Sequence, residues 1–171
     1  MAHGNLGNLY FYEKRYDEAI ETYQKVIEID PEQVAAYNNL GNAYAKQEKY
    51  DEAIEAYQKV IEIDPEQVAA YSNLGDAYSE QERYDEAIEA YQKVIETDPE
   101  QVAAYNNLGN VYAKQERYNE TIKVYQTAIE LNPEQIAEYN NLINKYKRIS
   151  QNQIKKKSFR FFRKLFSIFR K

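Results

Sequence analysis

The sequence predicts an all-α fold built from repeated antiparallel helix pairs. Three observations carry this. Pro31, Pro65, Pro99 and Pro133 stand 34 residues apart, as do Leu6, Leu40, Leu74, Leu108 and Leu142. Residues 31–64 and 65–98 differ at only 6 of 34 positions. Within each unit the apolar residues follow helical spacing, interrupted once by a polar turn. A fixed period of this length is the mark of a solenoid, in which each unit buries its apolar face mainly against its neighbours.

One unit justifies its elements in order. Asp64-Pro65-Glu66-Gln67 reads as a helix start, with Asp64 as N-cap, Pro65 in the first turn and Gln67 completing a capping box. Tyr71, Leu74, Gly75 and Tyr78 then form one helical face. Glu80-Gln81-Glu82-Arg83 is the polar turn. A second helix begins near Tyr84, with Asp85 and Glu86 where the helix dipole favours acids. Ala87, Ile88, Tyr91, Val94 and Ile95 are its apolar face, and Asp98-Pro99 opens the next unit. Gly7, Gly41, Gly75 and Gly109 each lie inside a first helix. Glycine there costs about 1 kcal/mol relative to alanine. The expected return is a close approach of the paired helix at Ala19, Ala53, Ala87 or Thr121. Tyr10, Tyr44, Tyr78, Tyr112 and Tyr146 form one row on the repeat and Tyr23, Tyr57, Tyr91 and Tyr125 another; both read as core wedges with polar tips.

Composition excludes several kinds of chemistry. The 171 residues contain no Cys and one His, His3, which removes disulfides, thiolate metal sites and multi-His metal sites. No metal, cofactor or catalytic residue is expected, and the chain reads as a non-enzyme. Charge is divided unevenly. Residues 1–147 carry 13 Lys/Arg against 28 Asp/Glu, whereas 148–171 carry 9 Lys/Arg and no acid. The acidic body argues against nucleic acid as a partner. The start of the chain has no signal-peptide pattern, and no apolar run approaches the ~18 residues of a membrane span. A cytoplasmic location is expected, extending to the membrane surface.

The pattern Tyr37, Leu40, Gly41, Tyr44, Ala53, Tyr57 and Pro65, recurring one period on, resembles the tetratricopeptide repeat (TPR). The resemblance covers residues 2–148 and departs at His3, Thr121 and Ile143. It implies a right-handed superhelix of helical hairpins whose first helices line a concave, protein-binding groove. Four repeats are expected at 1–30, 31–64, 65–98 and 99–132, with a fifth first helix at 133–149 and a basic amphipathic helix at 150–171.

The groove stripe can be read from the first helices. Asn39, Asn42 and Lys46 run along one side at i, i+3, i+7, next to Asn38. The stripe recurs as Asn73, Asp76, Glu80; as Asn107, Asn110, Lys114; as Asn141, Asn144, Arg148; and at the start as Asn5, Asn8, Tyr12. Asparagine is a poor helix former, so its surplus invites a reason. An amide offers both donor and acceptor and grips a peptide backbone without choosing side chains. The stripe is similar to the asparagine ladder in the repeat region of O-linked N-acetylglucosamine transferases. Simple duplication of one ancestral unit explains the same recurrence without a ligand. The carboxylate clamp of chaperone-binding TPR domains needs cations that Asn38, Ser72 and Asn106, with Ala35, Ala69 and Ala103 nearby, do not supply.

The implied function is a scaffold that holds a peptide or partner protein. Two alternatives stand beside it: a peripheral membrane adaptor, and the regulatory repeat region of a larger enzyme such as a glycosyltransferase. The adaptor reading rests on residues 154–171. On a helix, Ile154, Phe159, Phe161, Phe162, Leu165, Phe166, Ile168 and Phe169 gather on one half, and all the basic residues but Lys155 on the other. The expected contact face is Phe159, Phe162, Leu165, Phe166 and Phe169. Its alternative covers are the end of the solenoid, an anionic membrane surface, a partner's groove and a second copy through self-association. Of these, partial packing on the helix at 134–148 is the expectation carried forward.

Overall fold

The computed structural model describes the backbone of residues 2–168 and the side chains of 5–160. These residues fall into two units, Met1–Ala104 and Tyr105–Lys171. The first contains α1 (Ala2–Tyr12), α2 (Tyr16–Ile29), α3 (Val34–Lys46), α4 (Tyr50–Ile63), α5 (Val68–Glu80) and α6 (Tyr84–Thr97). Helix α7 (Val102–Lys114) begins there and continues into the second unit, which adds α8 (Tyr118–Leu131) and α9 (Ile136–Ile168). No strand occurs among the described residues. In the first unit α1 packs on α2, α3 on α4 and α5 on α6 as hairpins, and α2 also packs on α3 and α4 on α5. The all-α class and the paired helices therefore agree with the sequence.

The helix starts differ from expectation. Asp64 does not cap α5. Its Oδ1 accepts from the Glu66 amide at 3.3 Å, and its carbonyl accepts from the Gln67 amide at 3.2 Å. A turn thus forms first and the helix begins only at Val68. Pro65 lacks an N–H and Gln67 sits at ψ 87°, so the chain turns before it coils. The same side-chain bond recurs at Asp30, Asp98 and Asn132.

The hairpin turns share one device. Lys14, Glu48, Glu82 and Glu116 each adopt a left-handed backbone, with φ near 60°. At α5 the Glu82 amide donates to the Ser79 carbonyl at 3.2 Å and the Arg83 amide to the Tyr78 carbonyl at 2.9 Å. This pair of bonds is the Schellman closure of a helix end. The Arg83 guanidinium then covers the Tyr78 ring at 4.4 Å, and Arg15 and Arg117 do the same over Tyr10 and Tyr112.

The glycines meet tyrosine rings rather than the small residues named from sequence. A Cβ added to Gly41 would lie 2.5 Å from Tyr57 Cε1, and one added to Gly75 would lie 2.6 Å from Tyr91 Cε1. Gly7 and Gly109 face Tyr23 and Tyr125 in the same way. The alanines at 19, 53 and 87 are fully buried one helical turn away, so the close approach is real but its partner is aromatic. Thr121 is also fully buried, and its hydroxyl donates to the Arg117 carbonyl at 3.1 Å.

Residues 136–168 form a single helix through the expected boundary at 149 and 150. No Gly or Pro occurs after Pro133 to stop it. Its first half packs on α8 through buried Tyr139 and Ile143, and Tyr125 lies 5.8 Å from the Tyr139 ring and 6.3 Å from that of Tyr146. Because the helix runs straight on, the basic segment cannot fold back upon 134–148, and that expectation is corrected. Phe159 is exposed. The side chains of Phe162, Leu165 and Phe166, and all of Phe169, lie outside the described residues.

A candidate groove lined by amides

In the first unit the first helices α1, α3 and α5 stand side by side and present the asparagine stripe to three concavities. One of about 340 Å³ is lined by Asn5, Asn8, Ala35 and Asn39 among others. A second of about 200 Å³ shares Asn8 and Asn39 with it and adds Phe11 and Asn42. A third of about 390 Å³ shares Phe11 and Asn42 and adds Lys46, Tyr50, Asn73, Asp76 and Glu80. Shared walls make them one continuous groove across α1, α3 and α5.

The floor of this groove is a hydrogen-bonded network. Tyr57 Oη donates to Asn42 Oδ1 at 2.8 Å, Tyr23 Oη to Asn8 Oδ1 at 2.8 Å, and Tyr91 Oη to Asp76 Oδ1 at 2.6 Å. These tyrosines are almost wholly buried, so each hydroxyl needs an acceptor, and the stripe supplies it. Neighbouring rungs are also tied together. Asn39 Nδ2 donates to Asn8 Oδ1 at 3.1 Å, and Asn73 Nδ2 reaches both Asn38 Oδ1 at 3.1 Å and Asn42 Oδ1 at 3.3 Å. The structure thus brings Asn38, Asn42 and Asn73 together directly, and pairs Asn39 with Asn8. Lys46, Asp76 and Glu80 share the third concavity with Asn42 and Asn73.

Burial sets the electrostatics. Burial pushes the Tyr23 hydroxyl up to about 12, and raises the Tyr57 hydroxyl further still. Asp76 is exposed on one side and lines the third concavity, with protein around its carboxyl. That crowding raises its carboxyl, and the Glu80 charge adds to the rise, while the bond from Tyr91 opposes it. Lys46 and Glu80 are exposed at the rim.

In the second unit Asn110 Oδ1 accepts from Tyr125 Oη at 2.7 Å, repeating the arrangement. Asn107 is half-buried on α7, and Lys114 is exposed at its end. Asn141 and Asn144 are exposed on α9. What sequence reasoning missed was the tyrosine that Asn8, Asn42, Asp76 and Asn110 each hold, and Phe11 and Tyr50 as walls. One signal was available for the former: Asn8–Tyr23, Asn42–Tyr57, Asp76–Tyr91 and Asn110–Tyr125 are all 15 residues apart. Among the described residues, no group of three or more His, Cys, Asp or Glu is placed to hold a metal ion. No helix among them is long and apolar enough to cross a membrane.

Stacked helical hairpins with an amide-floored concavity define a repeat module for protein interaction. The matching family models are tetratricopeptide-repeat models, over residues 7–48, 32–100 and 72–136, and the chain belongs to that family. No significant match is found among curated proteins. Among solved structures the chain is similar to two crystal structures of MamA. The first has a TM-score of 0.75 at 25% identity and covers 92% of this chain and 91% of that one. The second has a TM-score of 0.72 at 27% identity and covers 89% and 96%. It is also similar to the first TPR of Spaghetti (RPAP3) bound to the HSP90 peptide SRMEEVD, with a TM-score of 0.65 and 28% identity over 67% of this chain and 90% of that one.

Proposed function

We propose that the groove across α1, α3 and α5 holds an extended peptide or an extended segment of a partner protein, with no chemistry performed on it. The observation that carries this is the continuity of the three concavities along one line of amides. Asn8, Asn39, Asn42 and Asn73 spend some of their bonding capacity on tyrosine hydroxyls and on each other. Each amide has up to four hydrogen-bonding positions, so capacity remains for a ligand's backbone N–H and C=O groups. The network also holds the amides in fixed orientations before a ligand arrives, which reduces the ordering cost of binding. RPAP3 supplies a neighbour of this fold bound to a peptide. In this chain Ala35, Asn38 and Ser72 leave no cation cluster for a terminal carboxylate. Backbone capture by neutral amides is the mode that the residues favour.

The stripe asparagines are poor probes, because removing them strands buried hydroxyls. Ala35 and Ala45 line the groove without joining the network. The test is to select binders from a random-peptide display library on the full chain, then measure them on an Ala35→Arg, Ala45→Arg variant. Affinity should fall at least about tenfold with an unchanged melting temperature, since two new side chains of that size occlude the concavities. Unchanged affinity overturns the proposal.

A further inference from the structure

The distal half of α9 carries an inference separate from the groove. Gln153 Nε2 donates to Glu116 Oε2 at 2.9 Å, which places this part of the helix beside the turn between α7 and α8. From there α9 continues for about 22 Å to Ile168, at 1.5 Å per residue.

The stripe that packs α9 onto α8 changes character along the helix. Tyr139, Ile143 and Tyr146 are succeeded at the same alternating spacing by Ser150, Gln153, Lys157, Arg160 and Lys164. An apolar contact line thus becomes polar and then basic. Measured from Ile143 at 100° per residue, Ile154 lies only about 20° round the helix, whereas Phe159 lies about 160° round, on another face. Ile154 is 61% exposed and Phe159 70% exposed. The sequence continues the face of Phe159 at i+3 and i+7 with Phe162 and Phe166. This face is therefore not an extension of the surface that joins α9 to α8.

We propose that this half of α9 is a docking helix for an anionic lipid surface. The occupant must offer an apolar phase and negative charge together, and a lipid interface does so. The alternatives fit less well. Two copies of the segment paired along their apolar stripes would enclose Lys155 of each copy in the seam, with no acid between residues 148 and 171 to offset it. Another copy's groove is floored by amides, with Lys46, Asp76 and Glu80 at one end, and offers neither an apolar bed nor a strong field. Lipid also accommodates Lys155, the one basic residue on the apolar side, because a long ammonium side chain reaches the headgroups.

The test uses the full chain and vesicles of phosphatidylcholine, either pure or with about 30% phosphatidylserine. Co-sedimentation should be at least about tenfold stronger on the anionic vesicles and fall as salt rises. A Phe162→Asp, Phe166→Asp variant should lose at least tenfold in binding with no change in melting temperature. A Lys156→Glu, Arg160→Glu variant should lose the preference for anionic lipid. The proposal is overturned by equal binding to neutral vesicles, by no binding, or by both variants binding as the parent does. It is equally overturned by a lowered melting temperature in the Phe variant, which places the cover within the chain. Tail-dependent self-association without lipid binding, or tighter capture on a single-stranded oligonucleotide than on anionic vesicles, overturns it too.

Discussion

Gly75→Ala adds one methyl group where the ring of Tyr91 already lies. Its Cβ would sit 2.6 Å from Cε1 and 2.9 Å from both Cδ1 and Cζ, against about 3.5–4.0 Å for an ordinary carbon contact. The ring has little room to retreat. Tyr91 is 2% exposed, and its hydroxyl is tied to Asp76 at 2.6 Å. Helix propensity pulls the other way and favours alanine by about 1 kcal/mol. Overpacking of a dense core costs about 1–3 kcal/mol and sometimes more. With a rigid ring as the obstacle the upper part of that range applies, so the net effect should be a loss of about 1–2 kcal/mol. The assay is urea denaturation followed by far-UV circular dichroism, in the parent and in a Tyr91→Leu background. Without the ring, the same Gly75→Ala change should be stabilising by about 1 kcal/mol. The two backgrounds should thus differ by about 2–3 kcal/mol, which is the coupling between the positions. If Gly75→Ala raises stability equally in both backgrounds, the ring does not require the glycine and the packing argument fails.

Further outcomes follow from the same contacts. Asn42→Ala strands the buried Tyr57 hydroxyl and should cost about 1–3 kcal/mol, whereas Tyr57→Phe leaves only a groove-facing amide that water can serve and should cost about 0.5–1.5 kcal/mol; equal losses in urea melts would contradict the network. Glu82→Gly should stabilise by up to about 1 kcal/mol, since φ is 59° there, and Glu82→Val should destabilise; a neutral pair of results removes the strain argument. The raised hydroxyls of Tyr23, Tyr57 and Tyr125 make stability full below pH 10 and lost progressively above it, as ionisation comes to favour the unfolded chain. A tyrosinate absorbance titration should show one group of tyrosines ionising near the ordinary value and a second ionising only as helical signal is lost. A single smooth titration with the helices intact at pH 12 would contradict this.

Much of the fold was legible because the repeat states it several times. The ends of α4 and α6 agree with the apolar spacing and with acids such as Asp85 and Glu86 in the first turn. What misled was local chemistry with two readings. Asp64-Pro65-Glu66-Gln67 is compatible both with a helix cap and with a turn, and only the backbone angle at Gln67 decides between them. Gly75 invited a close-packing argument, but a period of 34 cannot say which residue of the paired helix approaches, and Ala87 and Tyr91 lie one helical turn apart on the same face. The stripe of Asn39, Asn42, Asn73 and Asp76 was legible as a line. Its bonds to buried tyrosines were not, because they depend on which face of the second helix turns toward the first. The course of 150–168 was misread since its composition changes sharply while its backbone does not. A change of solvent-facing residues alters what a helix meets without ending it.

The central claim is that the groove across α1, α3 and α5 is where a ligand is held. The most direct measurement is the NMR spectrum of the full chain with a library-selected peptide added in steps. Side-chain amide resonances of Asn39 and Asn73, and backbone amides of α1, α3 and α5, should shift together and saturate together. Those of the outer second helices α2, α4 and α6 should move little away from their tyrosine contacts. Shifts confined to the exposed faces of α2, α4 and α6, with the Asn39 and Asn73 side chains unmoved, would place the ligand elsewhere and contradict the account.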